Sequence, residues 1–267
     1  MRRNDLCFCM SGKKKKVCHA DIHEESQAAA KLKIYSQLEY ELQEHRESSE
    51  ESSLCVKGCI QCCYDYFTIQ DIEFDLILKE LANWEEEKLN NLIKRVEKYW
   101  KLLEKEQPEA TRLLLDGSDN AAIEKTNASI DKTSFPCVFL DENTQLCQIY
   151  QVRPFKCRIF GTTYHYPKPG EVAVNTAGAV GIACENYGNI LNDDNFDTIL
   201  WDVTELLDEN IDFSIVYDSK GRAAAVKPEF SLLYNLYQHF IVKKLGLSIV
   251  DFDEKFKMPR NTYGSKL

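Results

Sequence analysis

The chain has 267 residues, 44% of them hydrophobic, and a formal net charge of −10. These figures allow one large domain or one domain with appendages, and they argue against a general nucleic-acid binder, whose phosphate contacts need a net basic surface. The exception is local: residues 1–19, MRRNDLCFCMSGKKKKVCH, carry six Lys or Arg against one Asp. A solvated lysine run flanking a small site and a basic tip that docks a partner both account for that asymmetry.

No apolar stretch of roughly 7–15 residues follows the charged start, so no secretory signal is expected. No run approaches the roughly 18–20 apolar residues that span a bilayer. The most apolar window, VAVNTAGAVGIAC, is broken by Asn175 and Thr176. A cytoplasmic protein is therefore expected, in a compartment where thiols stay reduced. Eleven cysteines there point to metal before disulfides.

Residues 1–23 hold Cys7, Cys9, Cys18, His19 and His23, with too little apolar material for a core of their own. Over 24–48, Ala28, Leu32, Tyr35, Leu38 and Leu42 recur at helical spacing and predict one buried stripe. RESSEESS, 46–53, predicts a linker closing a helix-and-linker segment at 54. The central region, 55–190, should open with a helix capped by Thr68, with Asp71 in its first turn. A longer helix follows from Trp84 to Lys105, facing inward through Leu89, Leu92, Val96, Trp100 and Leu103, and PEATRLLLDG gives a short one stopped by Gly117. From Cys137 to Cys184 the chain is turn-rich, punctuated by Pro136, Pro154, Pro167, Pro169 and Gly170. The C-terminal extension, 191–267, should be helical, with Phe196, Leu200, Val203 and Leu207 on one face and a second helix in FSLLYNLYQHFIVKKLG stopped by Gly246. The expected fold is mainly α with small irregular β and turn-rich segments, organised around a cysteine-ligated metal centre, plus a small N-terminal metal-binding knuckle.

CFCMSGKKKKVCH supplies three thiols and an imidazole, a complete set for a tetrahedral ion. The Cys7-x-Cys9 pair chelates from one turn, and Gly12 lets the loop reverse toward Cys18 and His19. An ion here would order a segment too small to fold alone. The segment resembles the SEC-C motif, the zinc-binding tail of the SecA translocation ATPase, through Cys7, Cys9, Ser11, Gly12, Lys13, Lys14, Cys18 and His19. Phe8 and Met10 stand where that motif has Pro and Gly. The resemblance implies zinc and a protein contact such as a chaperone or the ribosome. His23 reads as a surface histidine, with a spare ligand as the alternative.

Cys55, Cys59 and Cys62 have the Cys-x3-Cys-x2-Cys spacing of radical SAM enzymes, but the repeating βα units of that fold are absent downstream. CVKGCIQCC, then CVFLDENTQLCQIYQVRPFKCRIFG, resembles instead the YkgJ-type cysteine-cluster family, a zinc- or iron-chelating domain that includes flagellin lysine-N-methylase. Cys137, Phe139, Leu140, Cys147, Ile149, Tyr150, Arg153, Pro154, Cys157, Arg158 and Phe160 carry the match, and Cys184 stands where members often have a later cysteine. The central ligands are then drawn from Cys55, Cys59, Cys62, Cys63, Cys137, Cys147, Cys157 and Cys184, for zinc or a 4Fe-4S cluster, since soft thiolates select either. Adjacent Cys62 and Cys63 seldom share one ion, so one of them serves a second metal or the core. Arg153 and Arg158 either offset thiolate charge, or hydrogen-bond sulfur or a carboxylate, or make ordinary ion pairs in an acidic protein. Phe139, Tyr150, Phe155 and Phe160 are expected to form the hydrophobic shell of the site.

Two functional readings follow. One is a metal-binding accessory or protein-interaction module with no general nucleic-acid or membrane partner. The other, implied by the flagellin-methylase resemblance, is an iron–sulfur-dependent protein lysine methyltransferase using S-adenosylmethionine. The nearest nucleotide-loop candidate, NTAGAVGIA, lacks the strand–GxGxxG–helix context and reads as a close-packed turn before Cys184. No acid–base constellation stands out; His165, between Tyr164 and Tyr166, reads as a loop residue.

Overall fold

The computed structural model describes residues 4–48, 58–117, 119–130, 132–160, 162–166, 178–181, 201–217, 220, 222–247 and 253–259. The architecture is predominantly helical with small sheets, as expected. A single helical turn, Lys15–Cys18 (α1), precedes the 22-residue helix Gln27–Ser48 (α2). The predicted stripe of Ala28, Leu32, Tyr35, Leu38 and Leu42 is buried throughout. The helix runs on through Ser48, past the predicted start of the linker. Side-chain pairs one turn apart support its last turns, among them Gln37–Glu41 at 2.8 Å and Gln43–Glu47 at 2.7 Å. The rest of the predicted linker lies outside the described residues.

Thr68 is not a helix cap. It belongs to a two-residue strand, Thr68–Ile69 (β1), paired antiparallel with Phe230–Ser231 near the far end of the chain. The cap of Asp71–Leu81 (α3) is Gln70, whose backbone N–H donates to Glu73 Oε2 at 3.0 Å in a reciprocal capping box. Asp71 does sit in the first turn. The long helix follows as Glu86–Glu106 (α4), burying Leu92, Val96, Tyr99, Trp100 and Leu103. Pro108–Asp116 (α5) ends at Gly117, whose φ of 65° is the left-handed stop that glycine adopts without strain. Asp119 caps Asn120–Ser129 (α6), accepting from Ala122 N–H at 3.1 Å.

The turn-rich part opens with the hairpin Leu140–Asp141 (β2) and Leu146–Cys147 (β3), followed by one turn of helix, Phe155–Arg158 (α7). Thr162–Tyr166 (β4) pairs antiparallel with Gly178–Gly181 (β5) and parallel with Trp201–Asp202 (β6). The glycines read as a turn are thus a strand. Next come Thr204–Ile211 (α8), the hairpin Ile215–Tyr217 (β7) and Ala223–Val226 (β8), the strand Phe230–Ser231 (β9) and Leu232–Tyr237 (α9), which continues as a π turn over Gln238–Val242. The predicted helical face through Val203 is corrected: β6 precedes it and the helix starts only at Thr204, while Phe196 and Leu200 lie outside the described residues. The predicted helix from Phe230 to Gly246 is shorter too. Ser231 caps it, its Oγ accepting from Tyr234 N–H at 3.2 Å, and it stops at Val242, with Lys244 at φ 51°. No helix of the described residues is long and apolar enough to cross a membrane.

Two hydrophobic cores share α3. Ile77, Leu78 and Leu81 face α4, Phe135, Phe139 and α9, and Trp100 stacks on Tyr237 with ring centroids 4.2 Å apart. Ile72 and Leu76 face the other way, into a core with α2, Phe155, Val203, Leu206 and Phe213. Cys7, Phe8 and Cys9 belong to that second core, so the N-terminal loop is packed onto the body of the protein.

A fully buried Lys31 cross-braces the second core. Its Nζ lies 3.2 Å from Glu73 Oε1, donates to Gln70 Oε1 at 2.6 Å and to Asn210 Oδ1, and sits 5.0 Å from the Phe213 ring centroid. Glu73 also accepts from Tyr35 O–H at 2.8 Å and from Phe155 N–H at 2.7 Å. One carboxylate thereby joins α2, α3 and the start of α7. Burial pushes the Glu73 carboxyl up, but Lys31 and the Gln70 and Phe155 N–H groups outweigh it and hold it below the ordinary 4.5.

Candidate metal centres

The N-terminal loop assembles its four candidates locally. Cys7 N–H donates to Lys13 C=O at 2.8 Å, closing the loop, and Lys15 N–H donates to Asp5 C=O at 2.9 Å, fixing the start of α1. Gly12 at φ 71° makes the reversal, and Met10, at φ 55°, takes the same left-handed conformation with a side chain. The thiols of Cys7, Cys9 and Cys18 and a ring nitrogen of His19 all lie within 4.8 Å of one another. Cys7 Sγ is 3.2 Å from His19 Nδ1, and Cys9 Sγ is 3.5 Å from Cys18 Sγ. A tetrahedral zinc with sulfur ligands has edges of about 3.8 Å, so the spacing fits such an ion.

The local electrostatics suit it as well. Burial pushes the Cys7 thiol up to about 12, and burial lowers His19, keeping its imidazole neutral and able to ligate. Burial also acts to raise Cys9, but its hydrogen bonds with Ser11, Cys18 and Cys7 outweigh it and leave the thiol lowered. Phe8, at the position of the motif's proline, stacks on His19 with ring centroids 5.4 Å apart and so helps orient it. His23 stays out of the group. Its N–H donates to Phe256 C=O at 2.6 Å, and its Nδ1 accepts from Glu25 N–H at 3.3 Å.

The central cysteines come from three separate segments. Cys59 follows Gly58 at φ 90°, and Cys62 and Cys63 sit in the 3-10 turn Gln61–Tyr64. That turn is joined to the distal block by Cys137 N–H, which donates to Cys63 C=O at 2.6 Å. Arg95, on α4, fixes the Cys137 loop, its Nη1 donating to Val138 C=O at 2.7 Å and Leu140 C=O at 3.1 Å. Cys147 is opposite Leu140 in the hairpin, and Cys157 lies in α7, whose first N–H is held by Glu73.

These segments bring Cys62, Cys137, Cys147 and Cys157 within electrostatic reach of one another. All four thiols are raised: Cys62 by its hydrogen bond with Cys63 and then by burial, Cys137 by burial to about 12, Cys147 by burial, and Cys157 by burial and then by the charges of the other three. Thiols gathered in such surroundings hold their protons until a cation displaces them. Cys63, hydrogen-bonded to Cys62, lines with Cys137 a cavity of about 50 Å³ bounded by Phe67, Phe135, Leu232 and Leu233. Among the described residues, the N-terminal set alone closes to within a single ion's first shell. Cys55 and Cys184 lie outside the described residues.

The arginines satisfy two of the expectations together. Arg153 Nη2 and Arg158 Nη1 both donate to Glu39 Oε1, at 2.8 and 2.7 Å, which is the ion-pair reading. Arg158 also donates to the carbonyls of Arg153 at 2.9 Å and Gln151 at 2.7 Å, shaping the loop before α7. Arg153 at the same time lowers the thiols of Cys62, Cys147 and Cys157 against burial, as an offsetting charge would. Phe139 and Phe155 are buried as a shell should be, whereas Tyr150 is 47% exposed under the Arg153 guanidinium. His165 lies in β4 opposite Ala179, not in a loop.

Glu39, Glu73 and Arg95 escaped the reading of the sequence. Glu73 stands three residues after Gln70, the spacing of a capping box, which could have flagged it. Glu39 and Arg95 carry no such mark.

Residues 54–185 match the family model described as "Putative zinc- or iron-chelating domain", named CxxCxxCC. No curated protein and no solved structure matches the chain.

Proposed function

We propose, from the match of residues 54–185 to that zinc- or iron-chelating family model, that the protein is a two-centre metal-binding module with an accessory, protein-docking role. The observation that carries this reading is the convergence of Cys7, Cys9, Cys18 and His19 within 4.8 Å on a loop packed into the core. Cys7, Cys9, Cys18 and His19 would hold zinc, which when bound supplies a closed tetrahedral crosslink. Cys62, Cys137, Cys147 and Cys157 are the first choice for the central ion or 4Fe-4S cluster, with Cys55, Cys59, Cys63 and Cys184 as further candidates. The docking role is supported by the exposed Lys13, Lys14 and Lys16 beside Leu6, Met10 and Val17, which are 63%, 60% and 73% exposed. That basic and apolar tip suits an acidic protein partner, in keeping with the chaperone or ribosome contact that the SEC-C resemblance implies.

Among the described residues, no specific geometry favours the lysine-methyltransferase alternative. Gly178 and Gly181, its nearest candidate for a nucleotide loop, are paired in β5 against β4.

The deciding experiment is purification without air, followed by the visible spectrum and by metal and sulfide analysis. About two zinc ions per chain without sulfide supports the two-centre module. About four irons with matching sulfide beside one zinc makes the central site a cluster, and S-adenosylmethionine binding is then measured directly. A protein that retains no metal sinks the proposal.

A further inference from the structure

Arg153 Nε is a buried side-chain donor without a hydrogen-bond partner among the described residues. The rest of this side chain is fixed. Nη2 donates to Glu39 at 2.8 Å, the guanidinium carbon lies 4.0 Å from the Tyr150 ring centroid, and the residue's own carbonyl accepts from Arg158. The guanidinium is therefore held in orientation from α2 and from the loop before α7, with its Nε–H buried and unmatched. A buried donor left without an acceptor destabilises the fold. Such a group is retained where something else supplies its acceptor.

Its surroundings indicate which acceptor. Arg153 precedes Cys157 by four residues, and its charge reaches Cys62, Cys147 and Cys157. A divalent ion held by four thiolates keeps roughly two excess negative charges, spread over its sulfurs. Ligand sulfurs in such sites take N–H donors from residues just beyond the ligands. Arginine suits the task better than lysine, because one planar fork can hold Glu39 through Nη2 and still direct Nε elsewhere.

We infer that Arg153 is a positioning residue of the loaded central centre, donating its Nε–H to a metal-bound cysteine sulfur while Glu39 holds the guanidinium in place. This rests on the reading of the central cysteines as metal ligands. Tyr150 covers the outer face of the guanidinium, and Arg158 keeps the backbone beneath it in register.

The test uses the full chain, labelled with nitrogen-15 at arginine and loaded with cadmium(II), a soft stand-in for zinc. Cadmium resonances are assigned by their loss in Cys9→Ser and in Cys157→Ser. The expected result is a through-bond correlation between the central cadmium and Arg153 Hε, with Hε shifting on loading. Arg153→Lys should abolish the correlation while the central cadmium resonance persists, and a purely structural role for Arg153 would give no such coupling. A central cadmium resonance with no coupling to Hε and no shift of Hε overturns the inference and leaves the two-centre module standing. If only the N-terminal resonance is seen, the inference falls together with the reading of the central cysteines.

Discussion

The two cysteine regions reach their geometry by opposite routes. The N-terminal four are drawn from the 13 residues between Cys7 and His19, and one loop closed by Cys7 N–H on Lys13 C=O brings them within 4.8 Å. The described central thiols, from Cys59 to Cys157, come from three separate segments: Cys137 N–H on Cys63 C=O ties the first to the second, Arg95 on α4 holds the second, and Glu73 on α3 and Glu39 on α2 hold the third. A local chelate depends on its own turn chemistry, whereas a dispersed one depends on the whole fold. The first should tolerate damage elsewhere, and the second should not.

The sharpest way to break that contrast is to remove one ligand from each region. Cys9→Ser should lose one metal equivalent by mass spectrometry. Because Cys9 is buried in the core with α2, it should also lower the melting temperature by about 10 °C, on the order of 3–4 kcal/mol. Cys157→Ser should lose the central metal alone. If it strips both sites, the N-terminal loop is not the independent unit described above.

Glu73→Gln comes next. It leaves Lys31 without its counter-ion in a buried site, for a loss of about 3 kcal/mol in chemical denaturation, and it should weaken the central site while sparing the N-terminal one. The same residue sets an acid limit. A carboxyl held below 4.5 contributes stability that is full above that value and lost as the pH falls through its folded value. Wild type should therefore lose stability faster than Glu73→Gln as the pH drops from about 5 toward 3, as read by circular dichroism. Equal slopes would mean that Glu73 is not ionised in the folded protein.

Glu39→Gln should have a smaller effect, about 1 kcal/mol, because Glu39 is half-exposed and its pairs with the arginines are partly screened. Central metal release to a chelator should nonetheless quicken, with N-terminal release unchanged. The smallest effect belongs to Met10→Gly. Met10 is 60% exposed and adopts φ 55°, so glycine removes backbone strain and little packing. N-terminal zinc affinity should rise by up to about fivefold, equivalent to about 1 kcal/mol, in competition with a chromophoric chelator. Weaker binding would mean that the methionine side chain supports the loop.

The same contrast explains what could be read from the sequence. Ala28, Leu32, Tyr35, Leu38 and Leu42 in α2, and Leu92, Val96, Trp100 and Leu103 in α4, follow from helical period alone, since one face of each is buried. Cys7, Cys9, Cys18 and His19 were legible because chelation there is a matter of spacing. The cap of α3 was misplaced because Thr68 pairs with Ser231 in β9 and donates its Oγ1–H to Glu229, 161 residues further along, contacts no local pattern reveals. Lys31 was legible in principle, standing three residues from Ala28 and four from Tyr35 on the buried face. Its partner Asn210 could not be found that way, for it lies 179 residues further along.

The family match begins at residue 54, yet Lys31, Tyr35 and Glu39 lie upstream of it and grip Glu73, Arg153 and Arg158 inside it. A piece excised at the limits of similarity would keep the central cysteines from 55 to 184 and lose the splint that sets them. It would present Phe155, Ile72 and Leu76 to solvent where α2 now covers them. Grafting this centre onto another scaffold therefore requires carrying the preceding helix along with it.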